Sequence, residues 1–212
     1  MSRHTRKYQC KKSALLEYHE IIECIMTALD AKSPYTAGHS KRVSDMAEIL
    51  CGLLDLNRSK TRMIHIAAHL HDIGKIAIAD AILNKPGKLT NEEFEVIKTH
   101  AQKGHDMLEI SNRPLFKVAS QIALTHHEKY DGTGYPNSLK GEDIPIFGRI
   151  TALADVFDAI GSDRCYKKAW EMEKVLEFIK EQRGKHFDPK LVDIFFDNLD
   201  DILKIKEEHQ DI

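Results

Sequence analysis

The sequence predicts an all-α protein, a helical bundle of about seven to nine helices. Two observations carry this. Apolar residues recur every three or four positions in segment after segment, and no segment sustains the two-residue alternation of a half-buried strand. A third is the punctuation, because helix-starting residues stand just ahead of several of these stripes.

The first helical region begins near Ser13 and carries Leu15, Ile22, Ile25, Met26 and Leu29. Ser33-Pro34 ends it, since the residue before a proline is pushed out of the helical region. Val43, Met46, Leu50 and Leu53 form the next stripe, with His39 one turn ahead on the same face. Arg62 to Ile73 places Ile64, Ala68 and His71 together. Asn84-Lys85-Pro86-Gly87 reads as a loop. Thr90 followed by Glu93 reads as a capping box for a helix bearing Phe94, Ile97, Ala101, Gly104 and Leu108. Pro114 suits a first helical turn, ahead of Leu115, Val118, Ile122 and His126. Asp131 to Pro145 is loop, broken by glycines and prolines. Ile146, Ile150, Leu153, Phe157 and Ile160 define a long buried helix. Asp188-Pro189 starts a last one with Leu191, Ile194, Phe195, Leu199 and Ile202.

Composition narrows the function. The chain has 212 residues and a formal charge of −2, so no global charge calls for a nucleic-acid polymer or an anionic membrane. No apolar run approaches the roughly 18 residues of a membrane span. Met1 to Lys12 is basic and polar, unlike a signal peptide, and reads as a solvated tail. Cys10, Cys24, Cys51 and Cys165 are scattered, which suits a reduced, cytoplasmic setting. Histidine is the excess, at 12 residues.

Placement decides what that excess means. His39, His71 and His126 fall on apolar stripes, where an imidazole is costly without a partner. His71-Asp72 and His126-His127-Glu128 add further ligand types. On the long helix Thr151, Asp155, Asp158 and Ser162 form a polar stripe beside the apolar one. A lone buried histidine is most often a hydrogen-bonded core residue, but several with two aspartates point to a metal. Imidazole and carboxylate without thiolate suit Mn, Fe or Zn in an open catalytic site.

His39-Ser-Lys-Arg42-Val43, His71-Asp72-Ile73-Gly74-Lys75 and Asp155 resemble the signature of HD phosphohydrolases. His126-His127-Glu128-Lys-Tyr-Asp131-Gly132-Thr133-Gly134-Tyr135-Pro136 resembles the defining stretch of HD-GYP domains. Asn84 to Thr90, Ala152 to Ala159 and Phe187-Asp188-Pro189 resemble the same family. The likeness runs from about Leu29 to Phe196. It divides the chain into residues 1–28, an N-terminal extension and leading helix, and residues 29–212, an HD-GYP catalytic domain. It implies an HD-domain helical bundle with additional C-terminal helices.

The resemblance implies a bacterial second-messenger hydrolase, a metal-dependent phosphodiesterase opening cyclic di-GMP to linear pGpG, with further hydrolysis to GMP left open. Carried over by position, His39, His71, Asp72 and Asp155 would hold one ion. Asp72 would bridge to a second held by His100, His126 and His127. Iron or manganese is implied. A third ion is disfavoured because Tyr35 stands where the family's extra carboxylate would be. Lys75 would act with Asp72 at the scissile phosphate, Arg164 and Lys167 would bind phosphate, and Tyr135 would shape the nucleotide pocket. Cys165 replaces a usual proline between Arg164 and Tyr166. Two divalent ions acidify water and stabilise charge growing on phosphoryl oxygens.

Two other readings stand beside this one. The substrate could instead be a cyclic GMP-AMP dinucleotide, or the chain could be a signalling module that binds nucleotide or a partner without hydrolysis. A homodimer and contacts with signalling proteins are compatible with all three. Other histidines have plainer roles. His65 and His69 read as structural or surface residues, and His105 points away from His100. His186 belongs to a turn. Glu128 reads as a partner that orients a histidine. Gly132 and Gly134 serve turn geometry rather than a phosphate cradle.

Overall fold

The computed structural model describes residues 20–29, 31–32, 37–54, 56–163 and 168–208. Residues 20–29 lie in α1, which starts the core with buried Ile22, Met26 and Leu29 at the expected spacing. α2 (Ala37–Leu53) buries Val43, Met46 and Leu50. α3 (Arg58–Ala68) starts on Asn57, whose side chain accepts from the Lys60 amide. The chain then tightens into a 3-10 turn, Ile73–Ala77, and a single helical turn α4 (Asp80–Leu83).

α5 (Asn91–Glu109) opens on the capping box, with Thr90 and Glu93 each satisfying the other's backbone amide. α6 (Pro114–Thr125) has its proline in the first turn. After a long loop, α7 (Ile146–Gly161) is buried along most of its length. α8 (Met172–Glu181), α9 (Pro189–Asp197) and α10 (Leu199–Glu208) follow. Asp188 caps α9 through the Lys190 amide.

The bundle is α2 packed between α3 and α7, with α6 joining α3, α5 and α7. α8, α9 and α10 close over α7 and α2, where Phe157 meets Phe195 edge to face at 5.1 Å. Each such buried large side chain contributes about 1.5–3 kcal/mol by leaving water. Among the described residues the β content is one isolated bridge, Arg183 to Phe187, so the all-α expectation holds. No helix among them is long and apolar enough to cross a membrane.

Three expectations need correcting. The last stripe, Leu191 to Ile202, is two helices, because Asn198 leaves helical geometry at ψ 30 and φ −127. α8 went unread, since its charged residues dilute the stripe of Val175 and Ile179. Phe94 belongs to the α5 stripe by spacing, yet is 47% exposed. Its ring faces the Lys98 ammonium instead of the core.

Candidate metal centre

Two groups of ligand-type residues at the heart of the site come from four places in the chain. α2 supplies His39, the turn after α3 supplies His71 and Asp72, α5 supplies His100, and the end of α6 supplies His126 and His127. His39, His71, Asp72, His100 and His126 are all buried. Gly74 lets these pieces meet. A Cβ there would fall on the His100 carbonyl oxygen and 2.6 Å from the Gly104 amide nitrogen, so only glycine lets the turn lie on α5.

Backbone acceptors aim the rings. His71 Nδ1 donates to Ala68 O at 2.8 Å, His100 Nδ1 to Ile97 O at 2.7 Å, and His126 Nδ1 to Ala123 O at 3.0 Å. With Nδ1 carrying the proton, Nε2 keeps its lone pair and turns to the cluster. Those lone pairs crowd. His100 Nε2 lies 3.4 Å from His126 Nε2 and 3.2 Å from His127 Nε2. Two bare nitrogens repel at that distance unless a cation or proton stands between them.

Asp72 is the centre. Its Oδ1 is 3.3 Å from His100 Nε2 and its Oδ2 3.3 Å from His71 Nε2. Lys75 Nζ is 2.5 Å from Oδ2. Burial would raise the Asp72 pKa, but the Lys75 ammonium beside it holds it well below the carboxylate range. Asp72 Oδ1 and His71 Nε2 are buried without a hydrogen-bond partner. Such orphaned atoms are expensive to bury.

Asp72, His100, His126 and His127 present ligand atoms within 4.8 Å of one another, and so do His39, His71 and Asp72. Asp72 is common to both groups. Nitrogen and carboxylate oxygen with no sulfur is the donor set of a catalytic divalent ion. The orphaned atoms and facing lone pairs fit that ion.

Asp155 borders the second group, with Oδ1 3.1 Å from His39 Nε2. His39 Nδ1 in turn donates to Asp158 Oδ2 at 2.7 Å. Against the effect of burial, these two carboxylates push the His39 pKa up to about 9. The gap between His39 and Asp155 therefore favours positive charge, from a proton or a cation. Burial, followed by the neighbouring imidazoles, holds His126 well below its ordinary value. His127 falls to about 3, also through burial first. Both are neutral donors at pH 7 (neutral imidazole being the ligating form).

Tyr135 lies against His127, with centroids 4.7 Å apart and planes at 29°. Burial, then the charges of Asp155 and Asp72, pushes its phenol pKa up. Arg164, Lys167 and Tyr35 lie outside the described residues.

Asp158 was missed as a site residue although it stands three positions after Asp155 on the polar stripe. Its role depends on His39, far away in sequence. Glu128 also differs from expectation. It accepts from the Asn137 amide at 2.7 Å and the Leu139 amide at 3.0 Å, so it closes the loop rather than orienting a histidine. Gly132, at φ +88, and Gly134, where a Cβ would meet the Lys129 amide, serve that loop as expected. His65 Nε2 is 2.9 Å from Asp45, and His69 Nδ1 is 2.6 Å from Ser44 Oγ, both on contacts outside the cluster. His105 donates to the Ser120 carbonyl, and His186 stacks on Phe187 in its turn.

Comparison with known proteins bears on this geometry. The family model described as HD domain matches residues 23–191. The chain is similar to the 3'3'-cGAMP-specific phosphodiesterase 2 of Vibrio cholerae, 46% identical over 187 residues, covering 88% of this chain and 36% of that protein. It is also similar to a cyclic di-GMP phosphodiesterase response regulator of Xanthomonas campestris, 45% identical over 174 residues, covering 82% and 46%. The chain thus spans less than half the length of these relatives. A solved cyclic GMP-AMP phosphodiesterase of Vibrio cholerae shares the fold, with a TM-score of 0.68, 23% identity and coverage of 88% and 50%.

Proposed function

The chain belongs to the HD domain family, and from that premise we propose that it is a metal-dependent phosphodiesterase opening cyclic di-GMP to linear pGpG. The observation that carries this reading is Asp72, one carboxylate common to two groups of buried histidines. A single carboxylate between two sites suits a pair of divalent ions acting on one phosphate.

His39, His71, Asp72 and Asp155 would hold one ion, and Asp72, His100, His126 and His127 the other, with iron or manganese preferred. Such ions supply an acidified water and charge neutralisation at phosphoryl oxygens. The protein's own residues do the rest. Neutral His126 and His127 add no charge of their own, so two divalent ions held against the Asp72 and Asp155 carboxylates would leave the centre net positive and suited to an anionic diester. Lys75, held 2.5 Å from Asp72, keeps an ammonium at the rim to meet a phosphoryl oxygen. Arg164 and Lys167 would bind the flanking phosphate. Tyr135, stacked on His127, would wall the nucleotide pocket.

A second substrate, the mixed cyclic GMP-AMP dinucleotide, is favoured by one observation, the 46% identity to a phosphodiesterase named for it. Competition between the two dinucleotides on purified chain loaded with Mn or Fe decides between them, the better substrate suppressing turnover of the other. Turnover of cyclic di-GMP to pGpG, lost together with bound metal in the His71→Ala, Asp72→Ala double variant, is expected. No turnover of any cyclic dinucleotide, or full activity in the double variant, would sink the reading.

A further inference from the structure

Phe94 lies on α5 by the apolar period, yet its side chain faces outward and is 47% exposed. One turn on, Lys98 Nζ lies 5.3 Å from the centre of the Phe94 ring and 5.6 Å from that of Tyr135. Tyr135 in turn stacks on His127. The four groups make a row from the α5 surface to the histidine cluster: ring, ammonium, ring, imidazole. A scattered exposed phenylalanine needs no explanation. One tied to a buried cluster through a cation between two rings does.

The ammonium has an ion-pair partner, Glu95 at 2.5 Å, but that carboxylate side chain is 67% exposed. Water screens such a pair, so exchanging it for another acceptor costs little. A purine offers what the row can use. Its flat face stacks on an aromatic ring. Its outer edge meets the ammonium, which has donors and no acceptor. Guanine presents two acceptors on that edge, O6 and N7, whereas adenine presents N7 beside an amino donor.

We propose that Phe94 and Lys98 form a guanine subsite: the base takes the Phe94 ring face that Lys98 now covers, and the ammonium, released from exposed Glu95 and shifted to the rim of that face, donates to the O6/N7 edge. The proposal rests on the phosphodiesterase reading of the adjoining cluster and deepens it. A single guanine satisfies the subsite. Cyclic di-GMP and cyclic GMP-AMP therefore both fit, and cyclic di-AMP is disfavoured.

The test measures kcat/KM for cyclic di-GMP and cyclic di-AMP with the whole chain. Lys98→Ala should lower the ratio of the two about tenfold, through KM. Lys98→Arg, which keeps donors for O6 and N7, should hold the ratio within about twofold. Phe94→Ala should raise KM for both. An unchanged ratio in Lys98→Ala, equal losses in Lys98→Ala and Lys98→Arg, or an unchanged KM in Phe94→Ala overturns the subsite. Wild-type chain that turns over neither of these nor cyclic GMP-AMP overturns the phosphodiesterase reading instead. Calorimetric titration with GMP and AMP then decides the subsite alone. Tighter GMP binding that Lys98→Ala removes supports it, and equal binding of the two overturns it.

Discussion

His39 Nδ1 stands 2.7 Å from Asp158 Oδ2, and this contact decides which nitrogen His39 turns toward Asp155. Asp158 Oδ1 also accepts from Arg42 Nε at 2.6 Å, inside a region where both side chains are nearly inaccessible. One carboxylate thus orients a histidine of the cluster and answers a buried guanidinium.

Removing that carboxylate should therefore be felt twice. Asp158→Ala removes a carboxylate that accepts from Nε and Nη2 of buried Arg42 and should cost up to about 3–5 kcal/mol in urea unfolding. Divalent-ion affinity should fall about 10- to 100-fold, because His39 loses the group that sets its ring. A variant with native stability and unaltered metal content would contradict both.

Gly74→Ala should damage the same site from the backbone side. The new methyl collides with the His100 carbonyl and the Gly104 amide, and backbone atoms cannot step aside as a flexible side chain can. Overpacking of this kind costs about 1–3 kcal/mol or more. Thermal unfolding and metal stoichiometry should fall together, since α5 carries His100. Loss of stability with metal binding intact would show that His100 does not depend on this contact.

Divalent ions should stabilise the fold, because the orphaned His71 Nε2 and Asp72 Oδ1 gain a partner. At an ion concentration near 100 times Kd the gain is about 2.7 kcal/mol. For a domain of this size that raises Tm by roughly 5–10 °C. A thermal-shift series with Mn against a chelator measures it. A flat series in wild type, or an equal shift in Asp72→Ala, would contradict the site.

The partly buried His65 carries a pH dependence of its own. The Asp45 carboxylate, 2.9 Å from Nε2, raises its pKa above the ordinary value despite burial. The folded state therefore binds this proton more tightly than the unfolded chain, where histidine titrates near ~6.5. Its contribution is complete below about pH 6.5 and is lost as pH climbs through the folded value. Wild type should exceed His65→Gln by up to about 1 kcal/mol near pH ~6, with the gap closing above neutrality. Urea midpoints at several pH values test this, and a gap that widens with pH would refute it.

Much of the fold was legible because helix periodicity and caps are local. Leu50, Ile122 and Phe157 sit three or four residues from their stripe neighbours, and Thr90 bonds to a residue three positions on. The candidate ligands were legible as types in an order, with His71-Asp72 and His126-His127 adjacent in the chain. The order of residues along the chain thus sets which helices form and which donor atoms they carry.

The tertiary structure decided how those atoms are used. His39 and Asp158 are 119 residues apart, and nothing in the chain between them announces their contact. The sharing of Asp72 depends on the turn after α3 lying against α5, which Gly74 permits. The seating of Lys98 against Tyr135 depends on where one loop packs. Periodicity reports what a helix can bury, and only packing reports what lies opposite.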